Sequence, residues 1–75
     1  MNLSPTEQKV YLNLNNWVKE PKKDDNSITN MILAFELGAF SYLLGFKVES
    51  NPFGVQNMNL LKHWYLGFCA SKNAW

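Results

Sequence analysis

Apolar residues recur at helical spacing in three stretches of the chain, and polar or proline-bearing segments separate them. In the first stretch Val10, Leu14 and Trp17 follow one another at i, i+4 and i+7, with Tyr11 and Val18 beside them and Asn13, Asn15 and Asn16 facing elsewhere. Ser4-Pro5-Thr6-Glu7 opens it with a serine cap, proline at the first helical position and glutamate at the third, the pattern of a capping box. Pro21 stops it, so a helix is predicted over about 4–19. Residues 20–27 are polar apart from the proline and carry adjoining opposite charges, which predicts a solvated surface turn. The second stretch, about 28–46, starts from a cap at Ser27 or Asn26 and is apolar nearly all round. Ile28, Met31, Ile32, Phe35, Ala39, Tyr42, Leu43 and Phe46 make one wide face, and Leu33, Leu37, Phe40 and Leu44 a second ridge. Between them runs a line of small residues, Ala34, Gly38, Ser41 and Gly45, a groove in which another helix can approach closely. A third helix is predicted from an Asn57 cap to about Lys72, with Met58, Leu61, Trp64, Tyr65 and Phe68 on one side and Leu60 and Gly67 adjoining. In the intervening linker Pro52 fixes its own φ and holds Asn51 extended, and Phe53 is expected to plug the space between the flanking helices.

These elements predict a single all-α domain of three helices: residues 1–27 give an N-terminal helix and polar loop, and 28–75 a helix-loop-helix unit. The second helix is long enough for a membrane span to be weighed, but Glu36 stands at its centre, at a cost of about 2.5–3.5 kcal/mol on insertion scales. A soluble bundle is the expectation, and the lack of a basic-then-apolar N-terminal segment makes the cytoplasm the expected compartment.

Composition narrows the chemistry. One cysteine, Cys69, excludes an intrachain disulfide, and with one histidine, His63, it leaves too few soft ligands for a structural zinc site. No carboxylate stands three or four positions from His63 to orient it as a base, and Cys69 sits near a helix C-terminus, where a thiolate is disfavoured. The four glycines form no phosphate-binding loop. A noncatalytic protein without a cofactor is therefore expected. Seven lysines, no arginine and six acidic residues leave a net charge of +1, so a strongly basic nucleic-acid footprint is missing. Ten asparagines beside no arginine also fit an AT-rich coding sequence, as in many phage genes.

The second half carries a spaced set of residues, G-x6-G-x5-N-P-F-x10-W-x2-G-F, formed by Gly38, Gly45, Asn51-Pro52-Phe53, Trp64, Gly67 and Phe68. Over about residues 34–72 this pattern resembles the ribosome modulation factor family, small bacterial proteins associated with ribosome hibernation. The resemblance implies a helix-loop-helix core and a noncatalytic translation modulator bound to the ribosome or its rRNA. On that reading Asn51, Pro52 and Phe53 shape a contact loop, Lys47, Lys62 and His63 meet phosphate, and Phe53, Trp64 and Tyr65 are candidates to stack on bases. The chain departs from the pattern in three ways: Asn51 stands where the founding members have cysteine, the segment from Pro52 to Trp64 is about two residues longer, and the charge is nearly neutral. The basic residues of the family therefore do not carry over position by position. The alternative is a protein-binding module, such as a phage- or mobile-element-encoded inhibitor of a host or defence protein. There the groove and its borders, Ala34, Leu37, Gly38, Phe40, Ser41 and Gly45, would form a partner face or a homodimer interface.

Overall fold

The computed structural model describes residues 3–21 and 23–74; Lys22 of the Lys22-Lys23 pair and the terminal Trp75 lie outside them. Three helices, α1 (Pro5–Val18), α2 (Ile28–Leu43) and α3 (Met58–Ala74), make an all-α domain, and two single 3-10 turns, Val48–Ser50 and Val55–Asn57, punctuate the long connection before α3.

Helix α1 begins with the capping box that its sequence spells. The Glu7 amide donates to Ser4 Oγ at 3.2 Å, and the Ser4 amide donates to Glu7 Oε1 at 2.9 Å. The Ser4 amide, and after it the Ser4 hydroxyl, hold the Glu7 carboxyl below its ordinary pKa, because they favour its charged form. Helix α2 is capped by Ser27, whose Oγ accepts from the Asn30 amide at 3.2 Å.

Helix α2 ends three residues short of the sequence expectation. Gly45 has φ +86°, a left-handed conformation that costs a side-chain-bearing residue about 1–2 kcal/mol. The Phe46 amide returns to the Ser41 carbonyl at 2.9 Å and the Gly45 amide to that of Tyr42 at 3.0 Å, together a Schellman stop. Gly45 therefore terminates the helix and does not continue the small-residue groove.

That groove is filled from within the chain. A Cβ on Gly38 would lie 1.9 Å from the Trp64 carbonyl oxygen, and one on Gly67 would lie 1.9 Å from that of Phe35. Each glycine thus receives the backbone of the other helix, and α2 and α3 cross with main chain almost against main chain. Ala34, Leu37, Leu60, Trp64 and Phe68 form the core around the crossing, with Leu14 of α1 and Phe53 of the linker closing it. The two buried hydroxyl residues flanking the crossing, Ser41 and Ser71, are small enough to fit, and Ser41 Oγ donates to the Leu37 carbonyl at 2.7 Å. The expectation that Ala34, Leu37, Gly38 and Ser41 form a partner or self-association face is corrected: α3 of the same chain occupies the groove. Phe40 is likewise engaged, meeting Tyr11 of α1 edge-on at 6.3 Å.

The two helices run in the same general direction. At one end the loop before α2 reaches the start of α3, and toward the other Tyr42 and Phe68 meet edge-to-face at 5.3 Å. Residues 44–57 therefore carry the chain back along the domain.

The polar loop at 20–27 is largely exposed, as its composition predicts, but it also reaches the start of α3. Asp25 accepts from the Asn59 amide through both oxygens, at 3.0 and 3.1 Å, and from the Leu60 amide at 3.1 Å, capping α3 from 34 residues away in sequence. Asn57, expected to cap α3, instead donates its side-chain amide to the Lys23 carbonyl at 3.1 Å. The Lys23 ammonium lies 5.0 Å from the centre of the Trp17 ring.

Substituting Gly38 or Gly67 by alanine is expected to cost about 2–3 kcal/mol or more, since neither carbonyl can retreat without parting the helices. In thermal unfolding that is a fall of roughly 10–20 °C. Gly45→Ala, with open space around it, should lose only about 1 kcal/mol. Asp25→Ala should cost about 1–2 kcal/mol by removing the α3 cap, whereas a solvated turn residue would be neutral to the same measurement.

Candidate functional site

Beyond the glycine crossing, the C-terminal halves of α2 and α3 diverge and leave a groove of about 370 Å³ between them. Tyr42 and Phe46 come from the α2 side, Lys47, Val48 and Glu49 from the linker that follows, and Tyr65, Phe68, Cys69 and Lys72 from α3. Tyr65, Cys69 and Lys72 fall at i, i+4 and i+7, so the helix itself sets them in one line. The Schellman stop turns the chain sharply at Gly45 and places Phe46 and Lys47 across from that line. Phe68 forms the floor, buried and stacked on Trp64 with ring centres 5.2 Å apart.

Two large rings remain open to solvent there: Phe46 is 47% exposed and Tyr65 is 48% exposed. Lys47 and Lys72 stand at the edges, both exposed, with Glu49 the one carboxylate lining the groove. The net charge of the lining is therefore about one positive unit, and aromatic surface dominates it. The neighbouring Cys69 side chain holds the Tyr65 phenol above its ordinary pKa. Tyr65 therefore stays a neutral hydroxyl donor throughout the physiological range.

Of the residues expected from sequence to bind, Lys47 and the stacking candidate Tyr65 belong to this groove. Asn51 is structural: its Nδ2 donates to the Leu61 carbonyl at 3.0 Å, and its Oδ1 accepts from the Phe53 amide at 3.1 Å, tying the linker to α3. Phe53 is buried, 5.9 Å from the Trp17 ring, and so acts as the expected plug, closing the core against α1. Both are withdrawn from any contact surface. Pro52 is exposed and borders a separate hollow of about 160 Å³ with Tyr11, Asn15, Ser50 and Trp64. Trp64 is only 1% exposed and is core, not a stacking platform. Lys62 is exposed on α3. His63 lies on another side, its Nδ1 2.7 Å from the Asn59 carbonyl, where it joins Ile28, Ile32, Phe35 and Glu36 of α2. The six residues do not converge.

The groove residues not singled out as a set are Phe46, Tyr65, Cys69 and Lys72. The spacing of the last three was a usable signal, since it marks a single helix face; the approach of Phe46 depends on where α2 ends. Among the described residues no group of three or more histidine, cysteine or acidic side chains is placed to hold a metal ion, and no helix is long and apolar enough to cross a membrane. No protein-family model, curated protein or solved structure matches the chain.

Removing the thiol by Cys69→Ala is expected to return the Tyr65 phenol toward the ordinary tyrosine range. A spectrophotometric titration of tyrosinate absorbance reads this as one of three tyrosines ionising at lower pH than in the parent chain.

Proposed function

We propose that the chain is a noncatalytic RNA-binding protein of the ribosome modulation factor type, which takes up a short single-stranded rRNA segment in the groove between the C-terminal halves of α2 and α3. The observation that carries this reading is the pairing of two half-exposed rings, Phe46 and Tyr65, with two lysines, Lys47 and Lys72, in one open groove. Single strands are held by that combination: base stacking gives about 1–3 kcal/mol per base, and lysines follow the phosphates. Two rings and one net positive charge make stacking the larger part. Such binding differs from an arginine-rich grip on duplex RNA, which loses several orders of magnitude in affinity as salt rises. The near-neutral chain and the missing arginines are compatible with it.

The protein-binding reading draws support from a different observation. The outer side of α2 leaves Ile28, Ile32 and Phe35 exposed, a surface suited to apolar contacts and not to nucleic acid.

Sedimentation of the chain with bacterial ribosomes through a sucrose gradient tests the RNA reading, with fluorescence anisotropy on single-stranded oligoribonucleotides beside it. The parent chain is expected to travel with ribosomal particles. Tyr65→Ala should weaken oligonucleotide binding about 5–150-fold, the equivalent of one lost stack, while leaving the salt dependence unchanged. Lys47→Gln with Lys72→Gln should lower the slope of log K against log salt by about 1.4, two single-strand phosphate contacts. A chain that stays at the top of the gradient, bound to an RNase-resistant protein, would overturn the RNA reading in favour of a protein target.

A further inference from the structure

The hollow of about 160 Å³ beside Pro52 has an exposed rim and a buried floor. Phe46, Ser50 and Pro52 at its rim are exposed, and Tyr11 and Asn15 of α1 make a half-buried wall. Ser41 and Trp64 belong to its floor, 6% and 1% exposed. The polar atoms of these two residues stand in different states. Trp64 Nε1 is the one buried side-chain polar atom without a hydrogen-bond partner among the described residues, and an indole N–H can only donate. Ser41 Oγ gives its hydrogen to the Leu37 carbonyl at 2.7 Å, so only its lone pairs remain to be used. A donor without an acceptor and a hydroxyl restricted to accepting thus border the same space. Among the described residues no charged side chain lines it.

We propose that this hollow binds a small neutral molecule carrying an amide group, whose carbonyl oxygen accepts from Trp64 Nε1 and whose N–H donates to Ser41 Oγ. Buried donors in folded chains nearly always have an acceptor, and leaving one unanswered costs more than the net worth of the bond it would make. A ligand that brings the acceptor removes that penalty as it binds. An apolar molecule of the same shape leaves Nε1 as it was, and a charged one would lose its hydration with no opposite charge in the lining. Size points the same way, because an apolar cavity of about 150 Å³ admits benzene. A single ring bearing one amide, polar end inward, therefore matches the volume. A lone water would answer Nε1 but leave the apolar walls of Tyr11, Leu37 and Phe46 without a partner. The hollow shares Phe46 with the groove at Tyr65 but none of that groove's polar groups, and it does not depend on the RNA reading.

Proton–nitrogen NMR of the full chain reads the site directly, because its three tryptophans give three indole cross-peaks. Trp17→Phe and Trp75→Phe identify that of Trp64 by elimination. Benzamide is the probe, added to about 20 mM, since so small a ligand is expected to bind in the millimolar range. The Trp64 indole proton should move downfield and saturate, with the other two moving less. Toluene, which keeps the ring and lacks the acceptor, and benzoate, which is charged, should each bind at least about tenfold more weakly, the equivalent of one net hydrogen bond. Ser50→Phe, which closes the rim from an exposed position, should abolish the shift without changing helicity by circular dichroism. Ser41→Ala should weaken benzamide several-fold and leave toluene unchanged. A Trp64 cross-peak that never saturates, or that moves no more than that of Trp17, would overturn the proposal. So would toluene matching benzamide, binding that survives Ser50→Phe, or a long-lived water whose cross-relaxation with the Nε1 proton persists at the highest benzamide concentration. If Ser50→Phe fails to fold, the toluene and water measurements decide the matter. No arm uses RNA, so a failure here and a failure of RNA binding are separate results.

Discussion

The contact between the α2 and α3 backbones at Gly38 and Gly67 sets the geometry on which the other features depend. Because each glycine accepts the carbonyl of the opposite helix, the crossing point is fixed in register as well as in distance. Small residues at such a crossing replace the usual layer of interlocked side chains, so the large ones gather on either side. Trp64 and Phe68 stack beside it to form the core, and past it Tyr42, Phe46 and Tyr65 line an open groove. The groove is thus a by-product of the crossing: two helices that touch at one place must separate at another. The same crossing turns the opposite side of α2 outward.

Much of this was legible in the sequence, because several elements are specified by local chemistry. Ser4 and Glu7 stand three residues apart and cap each other without reference to the rest of the chain. The apolar periodicity placed the three helices, and Pro52 after Asn51 marked a shaped linker with Phe53 turned inward. The line Ala34, Gly38 and Ser41 was visible as a surface for close helix approach. Which helix would occupy it was not, since periodicity describes a face without naming its partner. The end of α2 was misjudged because glycine is compatible both with the groove and with a left-handed stop, and the choice between them lies in φ. The role of Asn51 was missed for a similar reason: in a turn it can point outward or bond its own chain, and only the fold shows the Leu61 carbonyl within reach.

The two surfaces of the domain have different chemistry and different reach. The C-terminal groove is aromatic and carries the ammonium groups of Lys47 and Lys72. The outer face of α2 is mainly apolar, with Ile28, Ile32 and Phe35 exposed beside Glu36. A 75-residue chain has little surface to divide, and this one keeps the two on separate sides of the same helix pair.

The bonds from Asp25 to the start of α3 have a consequence for what counts as a unit of this fold. The stretch that carries the spaced glycines and aromatics, about residues 34–72, begins after Asp25, Leu14 and Trp17. A fragment cut to that stretch would carry α3 with its first amides unanswered, Phe53 without the ring it packs against, and a core open where Leu14 sits. The first third of the chain is thus not an appendage on a finished scaffold. Through Asp25 it answers the first amides of a helix that begins more than thirty residues later, so the fold closes as one unit from its first helix to its last.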